Sequence, residues 1–363
     1  MAKPEPTHTL VISIDGLRAS ALGAYGAAAY ETPHLDALAT ESCVWDWCFA
    51  DTPDLTGLGA ALSSGIDPET IPSNALVVSD CDSFLKTALA ESFSQKQLIE
   101  TVEPSACAPS ISETCQAQVW EEFASVIVSK LQSNPDERVF GWLHTRGMYG
   151  PWDAPVDLHE ALLDEDDPPV PGEVAPPDAT FSDQAELCEA RFAASCRYAG
   201  QVMALDACLG GWLEIVRGLF EGQTLRIVLL GLRGFPLGEH GRIGGVDDRL
   251  FSEQQHVPLL VGAVDPNERF TREHATVTLS DAVARLFSSS EPSRQALLRS
   301  PSGAVAVHDG QWMLRQRAAD QAESLELYSK PDDRWEQNDV AQLERETVES
   351  LAALLAPAAE DRA

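Results

Sequence analysis

The sequence predicts an α/β fold in which a doubly wound, mostly parallel sheet is flanked by helices and followed by a small α+β subdomain. Short apolar runs predict strands at residues 9–14, 75–79, 138–143, 225–230 and 257–262. Segments with helical periodicity separate them, at residues 34–42, 55–64, 114–131, 184–219 and 277–288. Strands that alternate with helices in this way are typical of a parallel sheet covered on both faces.

The first strand is the run TLVISI, which is apolar enough for burial on both faces and stops at Asp15. Ligands of α/β sheets bind at the loops that follow the carboxyl ends of the strands. Asp15, Leu232 and the segment after His144 all occupy such positions. The longest helical segment, residues 184–219, follows Ser182 and Asp183, and either residue can cap it.

The pattern of the chain changes near residue 302. We assign residues 1–300 to the α/β domain and residues 301–363 to the small subdomain, in which AVAVHD and QWMLRQR predict a short antiparallel sheet and residues 340–356 a closing helix. Within the first domain, residues 153–181 are rich in Pro, Asp and Glu and are too long for a simple connection. We interpret them as an acidic surface loop near the cleft.

The chain is strongly acidic, with 57 acidic and 25 basic side chains and a formal net charge of −32. A field of this sign repels a nucleic-acid backbone and an anionic membrane surface, so we expect neither as a partner. The same field disfavours a small anionic ester unless local cations or a bound metal reverse it. The local site therefore decides what the protein binds.

The N-terminus has no apolar segment ahead of a small-residue cleavage site, and no apolar run approaches the length of a membrane span. These features predict a soluble cytoplasmic protein. Its eight cysteines show neither a Cys-x-x-Cys pair nor zinc-ligand spacing, so we expect reduced thiols. A disulfide between Cys107 and Cys115 is the one exception to test.

Four stretches, taken in order, resemble the sulfatase family of the alkaline phosphatase superfamily along nearly the whole chain. They are ISIDGLRASALGAYG with TPHLDALATES, CRYAGQVMALDACLGGWLEIV, LLGLRGFPLGEHGRIGG with LFSEQQHVPLLV, and ELYSKPDDRWEQNDVA. The resemblance implies the same α/β fold. In active relatives it also implies a divalent cation on hard oxygen ligands, which neutralises the anionic ester.

The metal ligands of the family are mostly replaced in this chain. The family's first strand commonly ends in paired acids, or in one acid and a small residue, and here it ends in Asp15 and Gly16. The second strand usually ends in Ser-Asp-His-Gly or Ser-Asp-Asn-Gly, which aligns with residues 231–234. Asp15 is then the only retained ligand, and Leu232 and Arg233 occupy former ligand positions. A guanidinium has only donors and cannot bind a metal ion.

The nucleophile of the family also has no counterpart. Its motif is Cys-x-Pro-x-Arg or Ser-x-Pro-x-Arg, with the Cys or Ser converted to formylglycine, and it aligns with Leu55, Gly57 and Gly59. Thr56 fits a threonine nucleophile only if the register slips by one residue. A threonine at a helix start is more often a cap or a packing residue.

Two further catalytic positions differ. The family's His-x-Pro-Tyr aligns with Tyr149-Gly150-Pro151-Trp152, and the lysine expected after Gly-Glu-His-Gly aligns with Gly245. His240 is retained, and we favour a hydrogen-bonding role in its loop over a catalytic one. For His144 we likewise favour a structural contact at the end of its strand.

Arg233 suggests that the losses are not random. Its permanent charge could lie opposite Asp15 and take over the neutralising role of the cation in active relatives. In the alternative, Arg233 points to solvent and Asp15 caps the following helix.

Three functions follow from these observations. The leading hypothesis is a catalytically impaired pseudo-sulfatase, without a cofactor, that keeps its cleft to bind a sulfated or phosphorylated small molecule or a protein partner such as an active paralogue. The alternative is an active hydrolase of sulfuric or phosphoric esters around Asp15 and Thr56, helped by Asp54 or His240, with Ca²⁺, Mg²⁺ or Mn²⁺. The third is a structural subunit with an interface marked by tryptophans, for which core packing is the competing explanation; these are Trp120, Trp142, Trp152 and Trp212.

Overall fold

The computed structural model describes residues 8–133, 137–264, 268–287, 294–318 and 325–360. Within these ranges nine strands form the central sheet, namely β1 (His8–Ile14), β2 (Ser42–Phe49), β3 (Leu76–Ser79), β4 (Gln95–Leu98), β5 (Phe140–Thr145), β7 (Leu225–Gly231), β9 (His256–Val257), β10 (Leu259–Gly262) and β11 (Thr271–Thr278). Two short strands, β6 (Ala179–Thr180) and β8 (Arg242–Ile243), pair with each other outside it.

The order across the central sheet is β11-β2-β10-β7-β1-β5-β3-β4, with β9 beside β2. β1 lies between β5 and β7 and is parallel to both, whereas β10 is antiparallel to both of its neighbours. The predicted fold class, a mostly parallel sheet, is confirmed. All seven residues of β1 are buried, as its continuous apolar run predicts.

Ten α-helices accompany the strands in the described part of the chain: α1 (Pro33–Thr40), α2 (Leu55–Gly65), α3 (Asp82–Leu85), α4 (Ala88–Glu91), α5 (Cys115–Ser133), α6 (Val156–His159), α7 (Gln184–Leu219), α8 (Ser252–Gln255), α9 (Leu279–Phe287) and α10 (Arg345–Glu360). Alternate side chains of β1 enter different cores, since Leu10 and Ile12 pack with α1, α5 and α7 while Val11 packs with α2, α4 and α9. Helices therefore cover both faces of the sheet.

Several elements differ from those predicted. The predicted helix at 277–288 begins only at Leu279, because the preceding residues extend β11. The predicted strand at 257–262 is divided at Pro258, which has no N–H to donate to a ladder. β2 and β4 were not predicted as strands. β4 is an edge strand with four exposed residues and the polar sequence QKQL, so it carries no apolar signal.

A second sheet follows the α/β domain. Its strands are β12 (Ala296–Arg299), β13 (Val305–His308), β14 (Trp312–Gln316) and β15 (Leu325–Ser329), all antiparallel and paired in that order. The sheet begins ahead of the boundary at residue 301, whereas its second and third strands coincide with the two predicted runs. One of its faces packs against α10, and the other packs against Phe49, Leu250 and Phe251 of the α/β domain.

The acidic segment 153–181 contains α6 and β6 and is otherwise irregular. It is tied to the domain, because Val174 accepts a hydrogen bond of 2.7 Å from the Trp152 backbone and Ala175 accepts one of 3.0 Å from Arg197. The four tryptophans considered as an interface are all buried in the core, so core packing accounts for them.

All eight cysteines are free, including Cys107 and Cys115, in agreement with the prediction of reduced thiols. Among the described residues, none of the helices combines the length and the apolar character needed to span a membrane.

The start of α7 provides a test of the fold. Asp183 caps this helix with a side-chain oxygen that accepts 2.9 Å hydrogen bonds from the backbone of Ala185 and Glu186. We expect Asp183→Ala to lower the free energy of unfolding by about 1 kcal/mol, the usual value of an N-cap, in urea denaturation. Ser182→Ala is the matched control and should change little; equal losses in both variants would contradict this assignment.

Candidate functional site

The candidate site lies where three adjacent parallel strands end. Ile14 at the end of β1 is in register with Thr145 of β5 and with Gly231 of β7. Asp15 and Arg233 follow these strand ends, so the sheet brings them to the same edge. The backbone is anchored there as well, because Leu232 donates a hydrogen bond of 3.1 Å to Ile14.

Asp15 and Arg233 form a two-pronged ion pair at this edge. The Nε of Arg233 donates to Oδ1 of Asp15 at 2.8 Å, and its Nη2 donates to Oδ2 at 2.9 Å. The side chains are only 9% and 5% exposed, so the pair is shielded from water. This geometry matches the planar fork of a guanidinium to the two oxygens of a carboxylate. The contact between Arg233 and Asp15 expected from the sequence is present, and Arg233 does not point to solvent.

The remaining contacts of Arg233 join three segments of the chain. Its Nη1 donates to the backbone oxygen of Pro53 at 2.8 Å, ahead of α2, and its guanidinium lies 4.2 Å from the ring centre of Tyr149. Burial opposes the charge of Arg233, but the nearby Asp15 carboxylate outweighs burial and raises its pKa. The guanidinium therefore stays protonated.

Tyr149, which follows β5, packs its ring against the guanidinium of Arg233. Its hydroxyl lies 2.9 Å from the backbone oxygen of Gly245 and accepts a hydrogen bond of 3.0 Å from Gln254. Burial raises the pKa of Tyr149 to about 12, so it is a neutral phenol at physiological pH. The sequence predicted no role for Tyr149, which aligned only with the family's histidine motif, whereas in the structure its ring packs against the Arg233 guanidinium.

His144 lies within β5, where it is fully buried. Its Nδ1 is 2.6 Å from the hydroxyl of Ser79, and its ring stacks on Phe84 with centroids 3.7 Å apart. Burial, followed by the charges of Arg233 and Arg146, lowers the pKa of His144 well below its ordinary value. The imidazole is neutral and held in a structural contact, as favoured from the sequence.

The sequence matches no protein-family model and no curated protein. The phosphonate monoester hydrolase of Agrobacterium radiobacter is similar to it in structure, with 16% identity and a TM-score of 0.70 over 97% of this chain and 96% of that chain. A protein solved in complex with its substrate D-glucosamine-2-N,6-O-disulfate has 13% identity and a TM-score of 0.69 over 99% of each chain. A 2-O GAG sulfatase has 14% identity and a TM-score of 0.64 over 97% of this chain and 92% of that chain.

This chain has the sulfatase fold. The resemblance inferred from its four sequence stretches is thus confirmed for the architecture. At identities this low the likeness concerns the fold alone, so the chemistry of the site has to be judged from the residues of this chain.

The residues at this edge do not fit the divalent cation that the sulfatase fold implies. Such a cation needs about six oxygen ligands. Across residues 15–16 and 231–234, which the structure describes in full, Asp15 is the only carboxylate, and both of its oxygens accept from Arg233. Asp54 is also engaged, because its oxygens accept hydrogen bonds from Gly57 and Thr52 at the start of α2.

The position that the sequence comparison aligned with the family's nucleophile lies in a capped helix. Leu55 is the first residue of α2 and packs its apolar side chain against the core that contains Leu58 and Leu62. Thr56 is exposed, and the helix is capped by Asp54 rather than by Thr56. Neither residue offers a buried, activated hydroxyl.

Gly59 and Gly245, which the sequence comparison aligned with a catalytic arginine and lysine of the family, have neighbouring side chains close to them. A Cβ added at Gly59 would collide with the side chain of Thr87. Gly245 has a φ of +63°, which side chains rarely adopt, and a Cβ there would collide with Arg242 and Asp178. A larger side chain at either position would therefore require these neighbours to move.

His240 lies in a polar cluster at the junction with the second sheet. Its Nδ1 is 2.7 Å from a carboxylate oxygen of Glu253, and its Nε2 is 3.2 Å from the backbone oxygen of Glu336. His240, Glu253 and Glu336 each place a possible metal ligand within 4.8 Å of the others. The Glu336 carboxylate, however, already accepts hydrogen bonds from the Lys330 ammonium and from Ser252, so Lys330 supplies the positive charge.

The buried ion pair yields a stability prediction. Arg233→Met leaves the Asp15 carboxylate buried without a counter-charge, so we expect the free energy of unfolding to fall by about 3–5 kcal/mol. Chemical denaturation measures the change. The matched control is the double variant Asp15→Asn with Arg233→Met, which removes both charges and should recover much of the loss. A single variant as stable as the parent would show that the pair contributes nothing.

The His240 cluster yields a pH prediction. Burial lowers the pKa of His240, but its hydrogen bond to Glu253 and the charge of Glu253 outweigh burial and raise it. Burial also raises the pKa of Glu253 to about 6. Both groups hold their protons more tightly in the folded chain. Their contribution to stability is thus complete at low pH and is lost as pH rises through the folded pKa values.

We therefore expect the difference in unfolding free energy between the parent and His240→Gln to be larger near pH 6 than near pH 9. One proton accounts for at most about 1.4 kcal/mol per pH unit. The control is the same substitution made in a Glu253→Gln background, where the proposed coupling is absent. A difference for His240→Gln that does not change with pH would contradict the proposed coupling to Glu253.

Proposed function

We propose that this chain is a catalytically impaired sulfatase-fold protein, a pseudo-sulfatase that keeps its cleft for binding or interaction and uses no metal cofactor. The observation that carries the proposal is the Asp15–Arg233 pair, in which both oxygens of the retained family ligand accept hydrogen bonds from a guanidinium. The pair supplies the positive charge that Asp15 requires. It cannot supply the chemistry of a divalent metal cation.

The chemical difference is specific. A divalent cation stabilises a developing negative charge and activates an oxygen nucleophile by direct coordination. A guanidinium has no vacant coordination position and cannot lower the pKa of a bound water in this way. The charge of Arg233 is also directed at Asp15, so the pair presents little net attraction to an anionic ester.

The alternative, an active hydrolase of sulfuric or phosphoric esters, requires Thr56 as nucleophile beside a metal ion on Asp15. The exposed position of Thr56 and the engagement of Asp15 with Arg233 and of Asp54 with the cap favour the first function. For the ligand of the cleft we propose a sulfated or phosphorylated small molecule or a protein partner, and for the protein a cytoplasmic location.

Metal binding and turnover test this proposal together. We expect Ca²⁺, Mg²⁺ and Mn²⁺ at millimolar concentration, and a chelator, to leave the melting temperature unchanged, because a ligand that does not bind the native state cannot stabilise it. We also expect no hydrolysis above the buffer rate for an aryl sulfate, an aryl phosphonate monoester and an aryl phosphodiester.

Asp15→Ala and Thr56→Ala are the controls for any residual rate. Turnover that requires a divalent cation and is lost in both variants would overturn the proposal in favour of the hydrolase. A stoichiometric divalent ion in the purified protein, removed by Asp15→Ala, would overturn it even without turnover.

A further inference from the structure

A separate cavity lies at the junction of the central sheet with the second sheet. Its volume is about 530 Å³, within the range of about 300–1,000 Å³ that small-molecule sites occupy. Five segments line it: the turn at Ala24 and Tyr25, strand β2, the short elements α8 and β9, Arg272 of β11, and the turn after β15. Neither Asp15 nor Arg233 is among its lining residues. The cavity is therefore separate from the Asp15–Arg233 site.

One wall of the cavity is aromatic. The half-buried ring of Trp47 stacks on His256, with centroids 5.3 Å apart and planes 21° apart, and Phe49 lies parallel to Trp47 on the same strand. Burial lowers the pKa of His256 to about 4, and its Nε2 donates to the backbone oxygen of Asp46 at 2.8 Å. The wall is consequently flat, uncharged at neutral pH and held in place.

Arg272 stands beside this wall in a fixed position. Its Nη1 donates to the carboxylate of Asp46 and its Nη2 to the backbone oxygen of Ala24. These two contacts use only part of the five N–H donors of a guanidinium, and the side chain is 42% exposed. Because the side chain is already held, it would lose little conformational freedom when the remaining donors bind a ligand.

Arg334 supplies a second guanidinium from the turn after β15. Its guanidinium lies 5.0 Å from the ring centre of Trp335, and no hydrogen bond or ion pair joins its side chain to another described residue. The neighbouring Lys330 is buried and is neutralised by Glu336, and Arg272 is balanced by Asp46. The charge of Arg334 is thus left uncompensated.

The surroundings of Arg334 also affect its charge. Partial burial, followed by the charge of Arg18, lowers the pKa of Arg334. Arg334, which has no acidic partner among the described residues, is a local positive charge on a chain with a net charge of −32. It provides the local reversal of sign that an anionic ligand needs here.

We propose that this cavity binds a small organic sulfate or phosphate monoester, with its oxyanion on Arg272 and Arg334 and its flat organic part against Trp47. Guanidinium forks match the oxygens of sulfate and phosphate groups. Trp47 lines the cavity, and an aromatic side chain can pack against a planar organic group. The proposed role is binding without a covalent step, and it does not depend on whether the Asp15 edge is active.

Isothermal titration calorimetry with phenyl phosphate and phenyl sulfate tests the site. We expect both esters to bind with a stoichiometry of one and more weakly as sodium chloride is added, because exposed guanidinium contacts are screened. Phenol, which lacks the oxyanion, should not bind measurably, and inorganic sulfate, which lacks the ring, should bind more weakly than phenyl sulfate. The two ester titrations also show whether sulfate or phosphate is preferred.

Variants then assign the binding to this cavity. We expect Arg334→Gln and Arg272→Gln each to weaken binding by about tenfold, as for the loss of one charge-assisted contact. Trp47→Leu should weaken both esters by a similar factor. Arg345→Gln, at an exposed arginine of α10, makes the same change in net charge and should leave affinity unchanged. Melting temperatures of all four variants show whether each remains folded.

The proposal is overturned if neither ester saturates the parent protein by about 10 mM. It is also overturned if Arg345→Gln weakens binding as much as Arg334→Gln, since that would indicate a general effect of charge. Adding Ca²⁺ or a chelator should not change the affinity. That comparison separates this site from metal-dependent binding at Asp15, so the two proposals can fail independently.

Discussion

Asp15 directly follows β1, a buried parallel strand in the middle of the central sheet. Burial removes water from its carboxylate, and a nearby positive charge is needed to offset the free-energy cost of that desolvation. In this chain Arg233 provides that charge from the end of the adjacent strand β7. Its third contact, to the backbone of Pro53, ties the start of α2 to the same point. The geometry of the whole edge therefore depends on one ion pair.

Other side chains fill the space around the Asp15–Arg233 pair. Thr87 fills the space that a side chain at Gly59 would need, and Arg242 with Asp178 fills the space beside Gly245. Tyr149 covers the guanidinium where the family motif has another sequence. Because protein interiors are close-packed, a side chain added at either glycine would clash with these neighbours.

Charge is distributed unevenly in this acidic protein. At the junction of the two sheets, buried pairs such as Arg18 with Glu239 and Lys330 with Glu336 cancel their own charges. Arg334 lies beside them without such a partner among the described residues. Net charge alone would exclude anionic ligands, but the local balance at the junction has the opposite sign. The net charge of the chain and the local charge at the junction thus lead to different expectations about anionic ligands.

Local sequence determined the elements whose signal is local. Strand β1 was predictable because its run is apolar on both faces, and α7 because Asp183 precedes a long periodic segment. The sequence also suggested that Asp15 and Arg233 could form an ion pair. Only the tertiary structure decided that they touch, because their contact requires β1 and β7 to be neighbours in the sheet. The same holds for Trp47 and Arg272, which come together because β2 and β11 pair in the central sheet, and for Arg334, which joins them from the turn after β15. Periodicity reports which face of an element is buried, whereas long-range pairing depends on packing that no single segment encodes.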